Sequence, residues 1–384
     1  MALHKNIKIL TIFNFFTDFR LFAPILVLYF QRVTGSFALG MSIFSVIFLS
    51  AALFEVPTGI ISDKVGRKKT VIFGACASVL SLIFYAVGQS YWILMMGGIF
   101  EGLARSFYSG NNSALLHDTL AETHQQHEYH EFLGKTSSMF QLASAIAAVL
   151  GGLIASISFS LVMWVSVLPQ LICLYLSFYL VEPKVFVQES TNIFQHLSTA
   201  LKKFSENRKL RLLSLGSMIN FGVGDASFEF QAAFYSLVWP VWALGIARMI
   251  ANFSGAISFY IAGKIINKFS AIKILLVEGI ISPIVKVLTI LFISPLSPAI
   301  MAFMSILYGS SNVAGNSLQQ KEFTDEQRAT MGSLLSLGGA ICNAVSAFIL
   351  GIIADHWGVA LTLIFAQVIL LLNNFFYIKV YKHG

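Results

Sequence analysis

The sequence has few charged residues. Only 11% of its 384 residues are Asp, Glu, Lys or Arg, whereas 57% are hydrophobic and the mean hydropathy is +0.77. Soluble globular domains carry roughly 25% charged residues, because polar side chains must cover much of their surface. The composition therefore excludes an ordinary soluble protein and predicts a chain surrounded largely by lipid.

Cysteine is also scarce, and the motifs of cofactor chemistry are missing. Cys76, Cys173 and Cys342 lie in apolar runs without metal-site or disulfide spacing, so we expect small core residues. The sequence 134–136 ends like an ATP-binding loop, but Tyr129 replaces the first glycine of that loop. We therefore predict no cofactor and no metal site, and a protein that is not an enzyme.

Long apolar runs dominate the chain instead. A helix needs about 20 apolar residues to cross a bilayer. Runs of that length predict twelve spans, near 9–30, 38–61, 70–88, 92–117, 135–157, 161–181, 211–236, 240–264, 272–294, 298–318, 332–354 and 359–380. We therefore expect an all-α membrane protein with one six-helix bundle over 1–181 and a second over 211–384.

The polar stretch 182–210 between these two groups allows two interpretations. Its apolar residues, among them Phe194, Leu197 and Phe204, favour an amphipathic helix along the inner membrane face. The alternative is a partly ordered tether.

Basic residues lie on one side of the predicted membrane. If both termini are cytoplasmic, only Arg32 of the 25 Lys and Arg residues falls in an outside loop, and four more lie within spans. The other 20 lie inside, as the positive-inside rule requires. The net charge of +7 therefore indicates topology and no nucleic-acid partner. We expect a monomeric, multi-pass protein of a bacterial inner membrane, with both termini cytoplasmic.

The two halves of the chain resemble each other. Gly, Lys and Lys at 59, 64 and 69 recur 204 residues later within 263–273, where Asn267 replaces Asp63. Asn112-Ser113 recurs at the same offset as Asn316-Ser317. Six spans, a linker and six further spans are typical of a duplicated transporter, so we predict two six-helix pseudo-repeats.

The joint between spans two and three carries a signature. It reads Gly59-Ile-Ile-Ser-Asp63-Lys64-Val-Gly66-Arg67-Lys68-Lys69. This resembles the G-x-x-x-D-[RK]-x-G-[RK]-[RK] motif of the major facilitator superfamily at every position. The resemblance implies twelve helices, transport by alternating access, and a central cavity lined by spans one, four, seven and ten.

The motif also predicts a gate, which we assign to Gly59, Asp63, Lys64, Gly66, Arg67 and Lys68. Glycine at 59 permits close helix packing, and glycine at 66 permits a tight turn. In the family, the acid that matches Asp63 meets the start of helix eleven, which begins here near Gly332. A carboxylate there gains roughly 0.3–2 kcal/mol from free N–H groups. The alternative is a basic loop that serves topology alone.

Ionisable residues inside the spans form a second group of candidates. Each such residue costs about 2.5–3.5 kcal/mol at mid-membrane, so it persists when it is paired, hydrated or functional. Glu101 and Arg105, spaced i, i+4 on span four, predict an internal ion pair or a substrate or proton switch. Asp18 on span one is a further proton candidate, and Arg20 is placed to reach an acid on span four.

Asp225 and Glu229 on span seven are spaced i, i+4 and carry like charge. Two carboxylates on one helix face at low dielectric favour sharing a proton, so the pair is a candidate proton carrier. The alternative is separate pairing, with Arg248 on span eight and with another donor. Asn312 and Asn316 on span ten either line a cavity or hydrogen-bond neighbouring helices.

These candidates define the expected function. We predict a secondary active transporter that moves a small organic solute, coupled to protons, with efflux favoured. The alternative is proton-coupled uptake of a nutrient or anionic metabolite, whose anionic group Arg105 and Arg248 would hold.

Overall fold

The computed structural model describes residues 4–109, 111–122, 124–125, 129–183, 204, 207–323 and 328–383. Every regular element in these residues is helical. The predicted amphipathic helix of 182–210 falls almost entirely outside them, so the linker and the bundle boundaries on either side of it stay predictions.

The first half contains eight helices in its described residues. They are α1 (His4–Thr17), α2 (Leu26–Thr34), α3 (Phe37–Val65), α4 (Arg67–Val87), α5 (Tyr91–Tyr108), α6 (Asn111–Glu122), α7 (Tyr129–Ala155) and α8 (Phe159–Phe178). Together α1 and α2 form span one, and α5 and α6 form span four.

The described residues of the second half from 208 onward contain six helices. They are α9 (Arg208–Tyr235), α10 (Val241–Phe269), α11 (Ala271–Leu291), α12 (Ser297–Phe303), α13 (Tyr308–Gln320) and α14 (Arg328–His383). A 3₁₀ turn at Met304–Ile306 precedes α13 within span ten. Gly358, at φ 81° and ψ 168°, breaks α14 into spans eleven and twelve.

These segments give the twelve predicted spans. Six helices in the described ranges are long and apolar enough to cross a membrane: Phe37–Val65, Arg67–Val87, Phe159–Phe178, Val241–Phe269, Ala271–Leu291 and Met331–Lys382. The last of these holds two spans. The prediction of an all-α protein with twelve membrane helices is confirmed.

The pseudo-repeat is visible in the helix bounds. The second and eighth spans, α3 and α10, both have 29 residues, and α4 and α11 both have 21. Each pair starts 204 positions apart in the chain. The turns before α4 and α11 also match, because Gly66 (φ 99°) and Ser270 (φ 65°) both adopt positive φ.

The chain folds into two compact units. Unit 1 comprises 1–35, 46–188 and 240–249, and unit 2 comprises 36–45, 189–239 and 250–384. A core of unit 1 joins α1, α4, α6 and α8 and includes Phe13, Val71, Leu115 and the buried Cys173. A core of unit 2 joins α9, α11, α13 and α14 through Leu213, Leu275, Ala314 and Tyr377.

Within unit 2, an acid caps the start of α3. The carboxylate of Asp355 accepts hydrogen bonds from Ser36 Oγ at 2.5 Å and from the backbone N–H groups of Phe37 at 2.7 Å and Ala38 at 2.9 Å. These donors include N–H groups that a helix start leaves without intrahelical partners. Asp355 therefore ties α3 to the segment just before Gly358.

Candidate functional site

Span one is broken at its centre. The continuous helix predicted over 9–30 is wrong there, because α1 ends at Thr17 and α2 begins at Leu26. Pro24 accounts for the break, since its ring lacks an N–H and excludes the carbonyl four residues earlier, that of Arg20. The equivalent span of the second half, α9, is a continuous helix of 28 residues. The break is therefore a feature of the first half alone.

Polar side chains from α7 and α8 bind the backbone at this break. Gln170 Nε2 donates to the carbonyl oxygens of Phe16 at 3.2 Å and Thr17 at 3.5 Å, and Ser144 Oγ donates to that of Asp18 at 3.5 Å. Irregular backbone at membrane depth persists where protein groups satisfy it in this way. The neighbouring helices therefore stabilise the non-helical segment that carries Asp18 and Arg20.

Glu101 on α5 joins both predicted arginines. Its carboxylate lies 2.7 Å from Arg105 Nη2 and 3.3 Å from Arg20 Nη1, and it accepts a hydrogen bond from Tyr85 Oη at 2.9 Å. Glu101 is 7% exposed. The structure thus forms the predicted i, i+4 ion pair and brings Arg20 to an acid on span four. Tyr85 is a partner that the sequence analysis missed.

Asp18 completes this cluster without an ion pair of its own. It lies within electrostatic range of Arg20 and Arg105, yet no Lys or Arg nitrogen of the described residues lies within 4.0 Å of its carboxylate. Arg105 also stands 5.3 Å from the centroid of the Phe48 ring, a cation–π contact. The two acids and two arginines of this cluster balance in charge.

A cavity of about 460 Å³ opens beside Asp18 in unit 1. Its lining comes from α1 and the residue after it, α5, α6 and α7: Leu10, Asn14, Asp18, Tyr108, Asn112, Ser113, Leu116, Leu133, Phe140 and Gln141. Asp18 is the one charged residue among the described residues of this lining. Asn112 Oδ1 is buried and has no hydrogen-bond partner in the described part of the chain. Asp18 and Asn112 Oδ1 therefore give this lining two groups that can accept hydrogen bonds from a ligand.

Unit 2 contains the span-seven acids. Asn343 Nδ2 on α14 donates to Asp225 Oδ2 at 3.1 Å and to the Gly222 carbonyl at 3.4 Å. Asn343 is 1% exposed. Asp225 and Glu229 belong to unit 2, whereas their predicted partner Arg248 belongs to unit 1. The proton-carrying role of the two acids stays a prediction.

A further acid, Glu278 on α11, was missed by the sequence analysis. It is half-buried, accepts a 3.4 Å hydrogen bond from Ser311 Oγ, and interacts electrostatically with Lys286 two turns along the same helix. Tyr308 lies within electrostatic range of both Glu278 and Asp225. An acid inside the apolar run 272–294 was the available signal, since such residues are costly at membrane depth.

A proline organises the backbone next to Glu278. Pro283 within α11 supplies no N–H to the carbonyl of Gly279. Asn374 Nδ2 on α14 donates to that carbonyl at 2.5 Å. A side chain at 279 would collide with the Asn374 amide, because its Cβ would lie 2.3 Å from Oδ1. Gly279, Pro283 and Asn374 thus together form one specific contact between α11 and α14.

The span-ten amides pair with each other. Asn316 Nδ2 donates to Asn312 Oδ1 at 3.1 Å along α13, and both residues are exposed within unit 2. Their equivalent in the first half, Asn112, lines the cavity of unit 1 instead. The two repeats therefore use the same residue type in different surroundings.

The signature loop forms a network around Arg67. Its Nη1 lies 3.4 Å from Asp63 Oδ1 and its Nε lies 3.5 Å from Asp118 Oδ2. The carboxylate of Glu182 accepts hydrogen bonds from the backbone N–H groups of Arg67 at 2.6 Å and Lys68 at 2.8 Å, so it binds the N-terminus of α4. Asp118 and Glu182 are partners that the motif alone does not reveal.

The two glycines of the motif differ. Gly66 adopts φ 99° at the turn between α3 and α4, as the tight-turn prediction required. The close helix approach at Gly59 stays a prediction. A Cβ there would meet no atom of the described residues within 4 Å, because Gly59 lies on an exposed face of α3.

The sequence resembles those of known transporters. The model of the Major Facilitator Superfamily matches residues 9–347. The chain is 23% identical over 375 residues to the uncharacterised MFS-type transporter YxaM of Bacillus subtilis, covering 94% of this chain and 92% of that protein. It is 26% identical over 299 residues to the raffinose permease of Escherichia coli, covering 68% of each.

Other relatives are matched over shorter stretches. The matched regions span 38% of the uncharacterised transporter BU466 of Buchnera aphidicola and 51% of the inner membrane transport protein YajR of Escherichia coli.

Solved structures show the same fold. A bacterial homologue of the human lysosomal transporter Spinster aligns with a TM-score of 0.80 at 15% identity, covering 99% of this chain and 97% of that one. The nucleoside transporter NupG aligns with a TM-score of 0.75 at 15% identity, covering 100% of both chains. With its signature loop, its duplicated twelve-helix fold and a family match over most of its length, the chain belongs to the major facilitator superfamily of membrane transporters.

Proposed function

We propose that this chain is a proton-coupled secondary transporter that exports a small organic solute across the bacterial inner membrane by alternating access. The break in span one carries the proposal. It places Asp18 and Arg20 on a non-helical segment beside Glu101 and Arg105 and next to a cavity. Interrupted helices form substrate and ion sites in many transporters, because their free backbone groups and side chains line the site.

The size and lining of the cavity support a small organic solute. A volume of about 460 Å³ lies within the range of small-molecule sites, roughly 300–1,000 Å³. Its mixture of leucine, aromatic, amide and carboxylate side chains suits a ligand with both apolar and polar parts.

We expect the protein to act as a monomer with both termini cytoplasmic.

Asp18 is the strongest proton candidate in unit 1. Glu101 receives hydrogen bonds from Arg20, Arg105 and Tyr85, so its carboxylate is held in a charge-assisted network. Asp18 lines the cavity and has no such partners among the described residues. Protonation of Asp18 therefore changes the charge of the cavity, whereas Glu101 holds the arginines in place. Asp225 and Glu229 are the second proton candidates.

The signature loop supports the gating step. Arg67 lies between Asp63 and Asp118, and the side chain of Asp63 is 58% exposed. Asp63 is therefore free to exchange its contact with Arg67 for the start of helix eleven near Gly332, as the family resemblance implies. Glu182 meanwhile holds the start of α4.

Transport into proteoliposomes tests the proposal. Purified protein is reconstituted, a pH gradient is imposed, and proton movement is followed on adding organic cations, anions or neutral metabolites. The wild type is compared with Asp18→Asn and with the double variant Asp225→Asn/Glu229→Gln. The matched control is Glu322→Gln, whose carboxylate pairs with Lys209. We expect solute-dependent proton flux that Asp18→Asn abolishes and the control retains.

Two results would contradict the proposal. Solute movement without proton movement in the wild type rules out proton coupling. Loss of flux in the double variant alone would move the coupling site from Asp18 to span seven.

Uptake of an anionic metabolite is the second candidate function. Two guanidinium groups, those of Arg20 and Arg105, meet at the single carboxylate of Glu101, and guanidinium groups are the side chains that bind carboxylates and phosphates in a bidentate manner. The raffinose permease shows that similar chains take part in transport of a named solute. Here Arg105→Gln and Arg248→Gln should reduce the uptake of anions while leaving neutral solutes unaffected.

A further inference from the structure

The side chains that line the cavity beside Asp18 favour one chemical class of ligand. Among the residues that the structure describes, its lining offers one carboxylate, three amide groups and two hydroxyl groups, and no Lys or Arg. The cations near Asp18 are both engaged elsewhere, because Arg20 and Arg105 each bind Glu101.

An acceptor in this wall is left without a donor. Asn112 Oδ1 is buried and has no partner in the described residues. A buried acceptor without a hydrogen bond is energetically unfavourable. A ligand that brings N–H donors into the cavity removes this cost. An ammonium group has three donors and no acceptor, and its charge matches Asp18.

The rest of the lining suits an apolar body. Leu10, Leu116 and Leu133 supply aliphatic surface, and Tyr108 and Phe140 supply aromatic rings. Aromatic rings also attract organic cations through their π faces. A carboxylate, a free amide oxygen and aromatic and aliphatic walls together match a small amine with an apolar substituent.

We propose that this cavity binds a small organic ammonium ion, with Asp18 as its counter-ion and Asn112 Oδ1 as a hydrogen-bond acceptor. The inference rests on the proposed transport function and assigns its substrate class. It also implies competition, because a proton bound to Asp18 removes the charge that attracts the ammonium group. Binding of the amine and binding of the proton then exclude each other, which is the coupling that export against a proton gradient requires.

Three probes of the same shape separate charge from size. Thermal unfolding of the purified full-length protein is measured with benzylamine, benzyl alcohol and benzoate at equal concentration and ionic strength. A ligand that binds only the folded state raises the unfolding temperature. We expect benzylamine to raise it, and the neutral and anionic probes to have little effect.

Variants then test whether benzylamine stabilises the protein by binding in this cavity. Asp18→Asn should weaken benzylamine binding by roughly tenfold or more, as the loss of a charged hydrogen bond predicts. Asp18→Glu should restore part of the binding, and Asn112→Leu should reduce it. Glu122→Gln, which neutralises an acid at the end of α6 outside this lining, should leave binding unchanged.

The comparison of the three probes on the wild-type protein tests the proposal even if Asp18→Asn fails to fold. Equal stabilisation by benzyl alcohol and benzylamine overturns the proposal, and so does preferential stabilisation by benzoate, which would favour the anion alternative. A folded Asp18→Asn protein that binds benzylamine as the wild type does also overturns it. Because binding is measured without a gradient, a failure of proton-coupled transport remains distinguishable from a failure of amine binding.

Discussion

Arg20 Nη1 lies 3.3 Å from Glu101 Oε1, although the two residues are 81 positions apart in the chain. The contact joins the broken segment of span one to α5. It also brings Arg20 onto the same carboxylate oxygen that receives Arg105. Two guanidinium groups and one buried acid thus define the geometry in which Asp18 faces the cavity.

Replacing Glu101 by glutamine should destabilise the protein. Both arginines lose their common carboxylate, and removing one partner of a buried ion pair costs about 3–5 kcal/mol. The arginine side chains are 31% and 34% exposed, so we expect roughly 3 kcal/mol, at the lower end of that range. Thermal unfolding in detergent measures the effect. The isosteric control is Glu122→Gln at the end of α6, and an unchanged unfolding temperature of Glu101→Gln would falsify the role given to Glu101.

Pro24→Ala should impair transport without lowering stability. Alanine supplies the missing N–H and removes the steric exclusion of the Arg20 carbonyl, so the helix is able to continue through the break. Asp18 and Arg20 would then leave their positions beside Glu101. We expect a loss of transport of several-fold or more, measured in proteoliposomes. Pro169→Ala within the continuous helix α8 is the control. Wild-type transport by Pro24→Ala would show that the break is dispensable.

Asn374→Leu should destabilise the contact between α11 and α14. The Gly279 carbonyl, which Pro283 leaves without an intrahelical donor, loses its hydrogen bond from Asn374 Nδ2. Interhelical hydrogen bonds in membranes contribute about 0.6–2 kcal/mol, and thermal unfolding measures the loss. Asn316→Leu on an exposed face of α13 should change stability less. Equal effects of the two substitutions would argue against a specific role of Asn374.

Gly66→Ala should be more damaging than Gly59→Ala. At Gly66 the backbone has φ 99°, and an added Cβ would lie 2.7 Å from the Glu182 carboxylate. Holding a non-glycine residue in such a conformation costs about 1–3 kcal/mol. At Gly59 an added Cβ meets no atom of the described residues within 4 Å. Unfolding temperatures of the two variants measure the difference, and a larger loss at position 59 would contradict the turn geometry.

Glu278 and Lys286 should show energetic coupling. Removing either charge alone leaves the other without its electrostatic partner at membrane depth. We expect Glu278→Gln and Lys286→Met each to lower the unfolding temperature, and the double variant to recover part of the loss. A double-variant cycle measures the interaction, with about 0.5–3 kcal/mol expected for coupled residues. Strict additivity of the two losses would mean that the charges act independently.

Some features of the site were accessible from sequence because they depend on neighbours along one helix. The Glu101–Arg105 pair follows from its i, i+4 spacing, and the turn at Gly66 follows from a glycine at a helix joint. The break in span one was missed because apolar residues on both sides of Asp18 and Arg20 give 9–30 the length of a single membrane helix. Pro24 was the available signal in the sequence. Its effect became evident only in the structure, where span one is interrupted and the equivalent span α9 is continuous.

The sequence by itself determined the number of spans, their expected orientation, the duplication and the family. Each of these depends on length, hydropathy or charge along the chain, and a bilayer converts these local properties directly into helices. Tertiary structure decided which polar groups meet. The contacts of Glu101 with Tyr85, of Glu182 with the start of α4 and of Asn374 with Gly279 join distant segments. No local pattern specifies them, because each depends on how helices pack and on which backbone groups that packing leaves to be satisfied.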